Sequence, residues 1–167
     1  MATKIIIVGN PSSGRSQLLQ TIFMELKNLL RIHGFIIDKL YDIGQITSAN
    51  IIFLRNPESF VTLDFKDKPA SKESYDSFTE LALTELSLFP SPDLFLIDDL
   101  GIGFISSPRI QQQLRTISLS RIPCIFTASE SDLEHVRNII GDIRTEIIRI
   151  NAYSGEDLYL DILNRIS

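Results

Sequence analysis

One cysteine stands in a chain of 167 residues. No intrachain disulfide can form, which suits a reducing compartment. Cys124 lies in an apolar strand pattern, where cysteine serves as a small core residue. Histidine is nearly as scarce: His33 and His135 stand apart from any cysteine or carboxylate pattern, and both are expected at the surface or at helix ends rather than on a metal. No apolar run approaches the about 18 residues that cross a bilayer, so no membrane partner is expected. Lysine and arginine form no block, and the net charge is −5. That balance argues against a nucleic-acid partner, because phosphate backbones are held by clustered cations. The first residues enter a strand pattern with no leader-like segment before it, so a cytoplasmic location is expected. Internal repeats and low-complexity tracts are absent.

What remains has the composition of an ordinary globular domain, 44% hydrophobic and 22% charged. The length suits one domain over residues 1–167. Strand and helix patterns alternate along it. Residues 4–8 form an apolar run, and from 13 to about 31 a 3.6-residue face carries Leu18, Leu19, Ile22, Phe23, Leu26, Leu29 and Leu30. A second strand opens at Gly34 and ends near Tyr41, followed by a turn over 42–45 and short strands over 49–54 and 59–65 that suit antiparallel pairing. Residues 67–72 form a polar, proline-containing loop. A helix over about 73–88 turns Tyr75, Phe78, Leu81, Ala82 and Leu86 inward, with Pro90 and Pro92 beyond its end.

Leu94 to Ile97 is another buried strand. Ser107 and Pro108 then give an N-cap and first helical residue, with Ile110, Leu114 and Ile117 inward. After a strand over 122–127, Ser131 and Glu134 have the spacing of a capping box. A last strand over 147–150 precedes a terminal helix starting around Ser154 and Asp157. The expected architecture is α/β: a three-layer α/β/α sandwich, mostly parallel, with a short antiparallel extension.

Between the first strand and the first helix lies Gly9-Asn10-Pro11-Ser12-Ser13-Gly14-Arg15-Ser16. This is the phosphate-binding loop G-x-x-x-x-G-K-[ST] in every position but one, where Arg15 replaces lysine. Two glycines allow a tight turn whose backbone N–H groups curl around phosphates, and the following helix adds its unpaired first-turn N–H groups. Residues 9 to 17, Gln17 included, are the expected nucleotide-binding set. Ser16 can reach Mg²⁺. Arginine is longer, planar and forked, so it binds phosphate but cannot occupy the lysine's slot.

Asp98 and Asp99 follow the apolar strand 94–97, at the edge where open α/β sheets bind ligands. Asp98 is expected on Mg²⁺, directly or through water, and Asp99 is placed to orient or deprotonate a water. Arg15 and Asp99 are therefore the expected catalytic residues, with Ser16 and Asp98 as the metal pair.

Over nearly its whole length the chain resembles the P-loop nucleoside-triphosphatase family called cancer-related nucleoside-triphosphatase. The resemblance rests on Gly9–Ser16, on Gly34-Phe35, on Phe78-Thr79-Glu80-Leu81-Ala82 and on Ile97-Asp98-Asp99-Leu100-Gly101. It implies a RecA-like P-loop fold and Mg²⁺-dependent binding of a nucleoside triphosphate. The departures gather at the chemistry. Arg15 replaces the loop lysine, and Asp99 replaces a glutamate. Ile102-Gly103-Phe104 replaces Lys-Met-Glu, and Tyr153 to Asp157 offers no counterpart to Glu-Asn-Arg. Acidic residues after Gly-Phe shrink to Asp38, with Lys39 next.

Two outcomes stay open: slow or lost hydrolysis, and a pseudo-NTPase that acts as a regulatory or scaffold subunit through a protein partner. A Ras-like GTPase fits less well, because Ser129-Glu130-Ser131-Asp132 lacks the Asn-Lys that reads guanine, although residues 151–156 are similar to the later base loop. Arg109, Arg115 and Arg137 are the local arginines that could stabilise transition-state charge.

Overall fold

The computed structural model describes residues 3–10, 13–58, 60–64, 72–99, 107–141, 145–150 and 155–166. In it β1 (Lys4–Val8) is buried at every position. A strand covered on both faces belongs inside a parallel sheet, and alternation sends its side chains to two cores. Ile5 and Ile7 join Leu18, Leu19 and Ile22 of α1 (Arg15–Leu26) and Leu158 and Ile162 of α5 (Gly155–Ile166). Ile6 and Val8 join the opposite core. It holds Phe78 and Ala82 of α2 (Lys72–Glu85), Ile110, Leu114 and Ile117 of α3 (Pro108–Leu119), and Val136 and Ile139 of α4 (Leu133–Ile140).

The remaining strands are β2 (Ile32–Asp42), β3 (Gln45–Phe53), β4 (Phe60–Asp64), β5 (Leu94–Ile97), β6 (Cys124–Ala128) and β7 (Thr145–Arg149). They form one seven-stranded sheet in the order β4-β3-β2-β5-β6-β1-β7. From β2 to β7 every neighbouring pair is parallel, whereas β3 and β4 are antiparallel. The expected sandwich with its antiparallel extension is therefore the fold. Parallel pairing of β5, β6 and β1 puts their carboxyl ends on one edge, with Phe95 opposite Cys124 and Lys4 also opposite Cys124. That edge carries both Gly9–Ser16 and Asp98-Asp99.

Local chemistry accounts for several boundaries. The β2–β3 hairpin closes on Ile43 (φ 50°) and Gly44 (φ 75°), a two-residue turn whose left-handed residues match the strand twist. Ser107 caps α3 by accepting the Ile110 N–H at 3.4 Å. Lys4 is buried, and its ammonium donates to the Ile117, Ser120 and Ile122 carbonyls at the negative end of α3. Phe35 packs edge-on against Phe78, with centroids 5.7 Å apart, so two of the motifs that carry the family resemblance meet in the core.

Other expectations are corrected. Helix α1 stops at Leu26 rather than near 31, and Leu29 is exposed, because β2 already begins at Ile32. Leu81 also faces solvent, one position off the Phe78–Ala82 stripe. His33 is not a surface residue. It is buried in β2, where Nδ1 donates to the Ser87 carbonyl at 3.1 Å and burial pushes its pKa down. The Ser131–Glu134 capping box does not form. Helix α4 starts one residue later, Asp132 at its N-cap is helical and makes no side-chain cap, and its carboxylate accepts the Ser129 hydroxyl at 2.6 Å. Expectations for Tyr75, whose side chain is not described, and for residues 65–71, 100–106 and 151–154, lie outside the described residues.

Gly34 has φ +124°, and a Cβ built there would sit 1.8 Å from the Leu96 carbonyl oxygen. Its N–H also donates to the buried Glu85 carboxylate at 3.2 Å. Gly44 has φ +75° with open space around it. Gly34→Ala should therefore cost about 3 kcal/mol or more, conformational strain plus collision, while Gly44→Ala costs about 1 kcal/mol from strain alone. Urea unfolding of both variants checks this; equal costs would show that β2 and β5 do not approach so closely.

Candidate functional site

Gly9 leaves β1 still bonded to the neighbouring β6, its N–H donating to the Ala128 carbonyl at 3.2 Å. A Cβ at Gly9 would lie 2.3 Å from Ser13 Oγ and 2.6 Å from Ile150 Cγ2, so only glycine passes here. The loop then folds back. The Ser13 N–H and hydroxyl both donate to the Asn10 carbonyl, at 3.0 and 2.7 Å. Gly14 takes the left-handed conformation (φ 87°) and opens α1 with no side-chain cap and no acid in the first turn. The positive end of α1 is thus left uncompensated, which is the arrangement that attracts anions. Pro11 and Ser12 lie outside the described residues.

Asp98 and Asp99 extend from β5 as fully buried neighbours of this loop. Asp98 Oδ2 accepts the Ser16 hydroxyl at 2.6 Å and the Ile37 N–H at 2.9 Å. Its Oδ1 accepts the Thr127 hydroxyl at 2.5 Å. Burial pushes the Asp98 carboxyl above the usual carboxylate range; the Ser16, Thr127 and Ile37 hydrogen bonds oppose this, and the neighbouring Asp99 charge adds to it. Thr127 Oγ1 in turn accepts the Asp99 N–H at 2.7 Å. Asp99 itself sits at φ 45°, a conformation aspartate tolerates better than most residues.

Arg15 enters the site as the first residue of α1 and is 3% exposed. Its Nη2 donates to Asp99 Oδ2 at 3.4 Å, yet Nε and Nη1 are buried with no hydrogen-bond partner among the described residues. The same Asp99 oxygen takes the ammonium of Lys39, which comes from β2. The structure therefore brings Arg15, Ser16, Asp98 and Asp99 together at one point. Gln17 is exposed and, with Gly14, Thr21, Ile150 and Tyr159, lines a cleft of about 510 Å³ beside the loop.

Two members of this cluster had no role in the sequence reading. Thr127 is a lone hydroxyl in the buried run Cys124–Ala128, and a polar residue enclosed by apolar strand neighbours is the signal that could have found it. Lys39 looked only like a missing acid. Arg109, by contrast, pairs with Glu80 on the exposed surface, and Arg115 is exposed on α3.

A glycine-rich loop from the first strand, opening a helix, with an acid at the end of a strand one removed, defines the fold and site of a P-loop nucleoside triphosphatase. A family model described as NTPase matches residues 4–163, and the chain belongs to that family. Among solved structures it is similar to THEP1 from the hyperthermophile Aquifex aeolicus, with 21% identity, TM-score 0.80 and 99% of each chain covered. It is also similar to a human cancer-related nucleoside triphosphatase, with 18% identity, TM-score 0.69, and 98% of this chain and 96% of that one covered. At such identities these likenesses show the fold. No curated protein matches the sequence.

The raised Asp98 carboxyl has a consequence for stability. A folded-state pKa above the unfolded value means the native state holds the proton longer, so stability falls as pH rises through that interval. Asn in this position can still accept from Ser16 and Ile37 while its amide donates to Thr127. Asp98→Asn should flatten the fall of stability between the ordinary carboxylate value and neutrality, and should be no less stable than wild type at neutral pH. Thermal melts over that range check it. Part of the slope will persist, because burial also raises Glu85.

Proposed function

We propose that the chain binds an Mg²⁺–nucleoside triphosphate on residues 9 to 17 and hydrolyses it slowly or not at all. The observation that carries this reading is Arg15: a guanidinium at the uncapped start of α1, buried, with Nε and Nη1 lacking acceptors among the described residues. Leaving charged donors unpaired in a dry site is costly, and an anion with several oxygens would satisfy them. The cleft lined by Gln17, Thr21 and Tyr159 offers room for the nucleoside half.

The residues present fit the ion. Ser16 Oγ and the Asp98 carboxylate are hard oxygen donors already in contact, and Mg²⁺ in such sites takes its other ligands from phosphates and waters. Mg²⁺ when bound would neutralise charge on the phosphates. Asp98 orients Ser16, Thr127 fixes the Asp98 carboxylate and the Asp99 N–H, and Arg15 donates to phosphate oxygen.

Weak turnover fits the pairing at Asp99: for as long as Arg15 and Lys39 hold its Oδ2, that oxygen cannot take a proton from an attacking water. The same pairing favours a second reading, in which the nucleotide acts as a ligand and a protein partner senses it.

Titration with labelled ATP and GTP tests the proposal. Saturable binding that strengthens with Mg²⁺ is expected, and Arg15→Ala should weaken it at least about tenfold. Phosphate release should stay close to the uncatalysed background. Failure of both nucleotides to saturate would remove this reading.

A further inference from the structure

Strand β2 pairs with β5 only as far as Phe35 opposite Ile97, then continues along β3, with Lys39 opposite Ala49. The free stretch carries Lys39 past the carboxyl end of β5, and its side chain, 9% exposed, turns back onto Asp99. The cluster so formed is unbalanced. Two cations, Arg15 and Lys39, converge on one carboxylate oxygen, and Arg15 keeps two buried donors without partners among the described residues. Asp98 does not correct this, because its two oxygens are committed to Ser16, Ile37 and Thr127. Among the described residues the donors of the two cations therefore outnumber the acceptors that face them, which leaves them able to take an added oxygen ligand.

The direction of approach says which anion. The uncapped start of α1, with Gly14 before it, is where phosphate is held. Lys39 arrives from β2, on the side of β5 away from β1, yet its ammonium meets Arg15 at the same Asp99 oxygen. A polyphosphate long enough to reach from α1 past Arg15 would therefore meet Lys39 with its distal end. We infer that Lys39 supplies, from β2, the ammonium that the loop lost when arginine replaced lysine, and that it makes the site select nucleoside triphosphates over diphosphates. The inference rests on the nucleotide-binding reading above. A compact ammonium suits this task, because it can shift between a carboxylate and a phosphate oxygen without the fixed fork of a guanidinium. Asp99 then acts as the holder of Lys39 when the terminal phosphate is absent.

The test uses the full chain with Mg²⁺ and compares the affinities of ATP against ADP and of GTP against GDP. Wild type should prefer the triphosphate. Lys39→Met should weaken triphosphate binding at least about tenfold and diphosphate binding less than about threefold. Lys39→Met combined with Asp99→Asn removes the carboxylate left unpaired, guards against misfolding of the single variant, and should show the same selective loss. Equal loss of both nucleotides, no loss, or recovery in the double variant would each overturn the inference, the last by showing that Lys39 only neutralises Asp99. Wild type that binds no nucleotide fails at the earlier step instead, so the two failures are told apart by the wild-type titration.

Discussion

Asp98 takes hydrogen bonds from the Ser16 hydroxyl, the Ile37 amide and the Thr127 hydroxyl, and so joins α1, β2 and β6 to the end of β5. Each donor comes from a different element, and each is fixed in turn by the sheet or helix that carries it. Burying a carboxylate among apolar strands is expensive, and the upward pressure on its pKa expresses that cost. Three donors offset the cost without eliminating it. What the fold gains is position: the first turn of α1 is drawn to the carboxyl edge of the sheet, where the loop can face the acids.

Around this tie the backbone and the side chains divide the work. Gly9, the Asn10–Ser13 turn and Gly14 make the cradle from main-chain geometry, so its shape does not depend on what residue 15 carries. Residue 15 decides where charge falls. The Arg15 side chain reaches from the start of the helix to Asp99, while two of its nitrogens are buried without acceptors among the described residues. Asp99, held at φ 45° with its N–H on Thr127, is itself positioned by β6. The course of the loop and the pairing of the neighbouring carboxylate are therefore set separately.

Much of the fold was legible because apolar runs of four or five residues between helix-patterned stretches leave few alternatives to a covered parallel sheet. The two site segments were legible for a related reason, since glycine spacing and an acid after a buried strand are local patterns. What escaped was set by contacts between distant residues. Lys4, a charged residue at the head of an apolar strand, is buried because α3 happens to end where three carbonyls can receive its ammonium. His33 was expected at the surface or a helix end, yet β2 starts early and the Ser87 carbonyl gives its ring a partner inside. Ser131 and Glu134 had capping spacing, but Ser129 takes the Asp132 carboxylate first and shifts the helix start. Lys39 lies 60 residues from Asp99, and no local pattern reports such a pairing.

The departures from the resembling family, when placed in space, are not independent losses. A glutamate shortened to Asp99 pulls its carboxylate back by one methylene. Arg15 is longer than the lysine it replaces, and Lys39 puts a long cation where an acid is expected. Shortening the acceptor while lengthening the donors leaves the three charged ends at one point, with side-chain exposures of 3%, 5% and 9%. Isolated buried ions are costly, and here both cations are set against the shortened carboxylate instead of standing alone, with Arg15 itself opening α1.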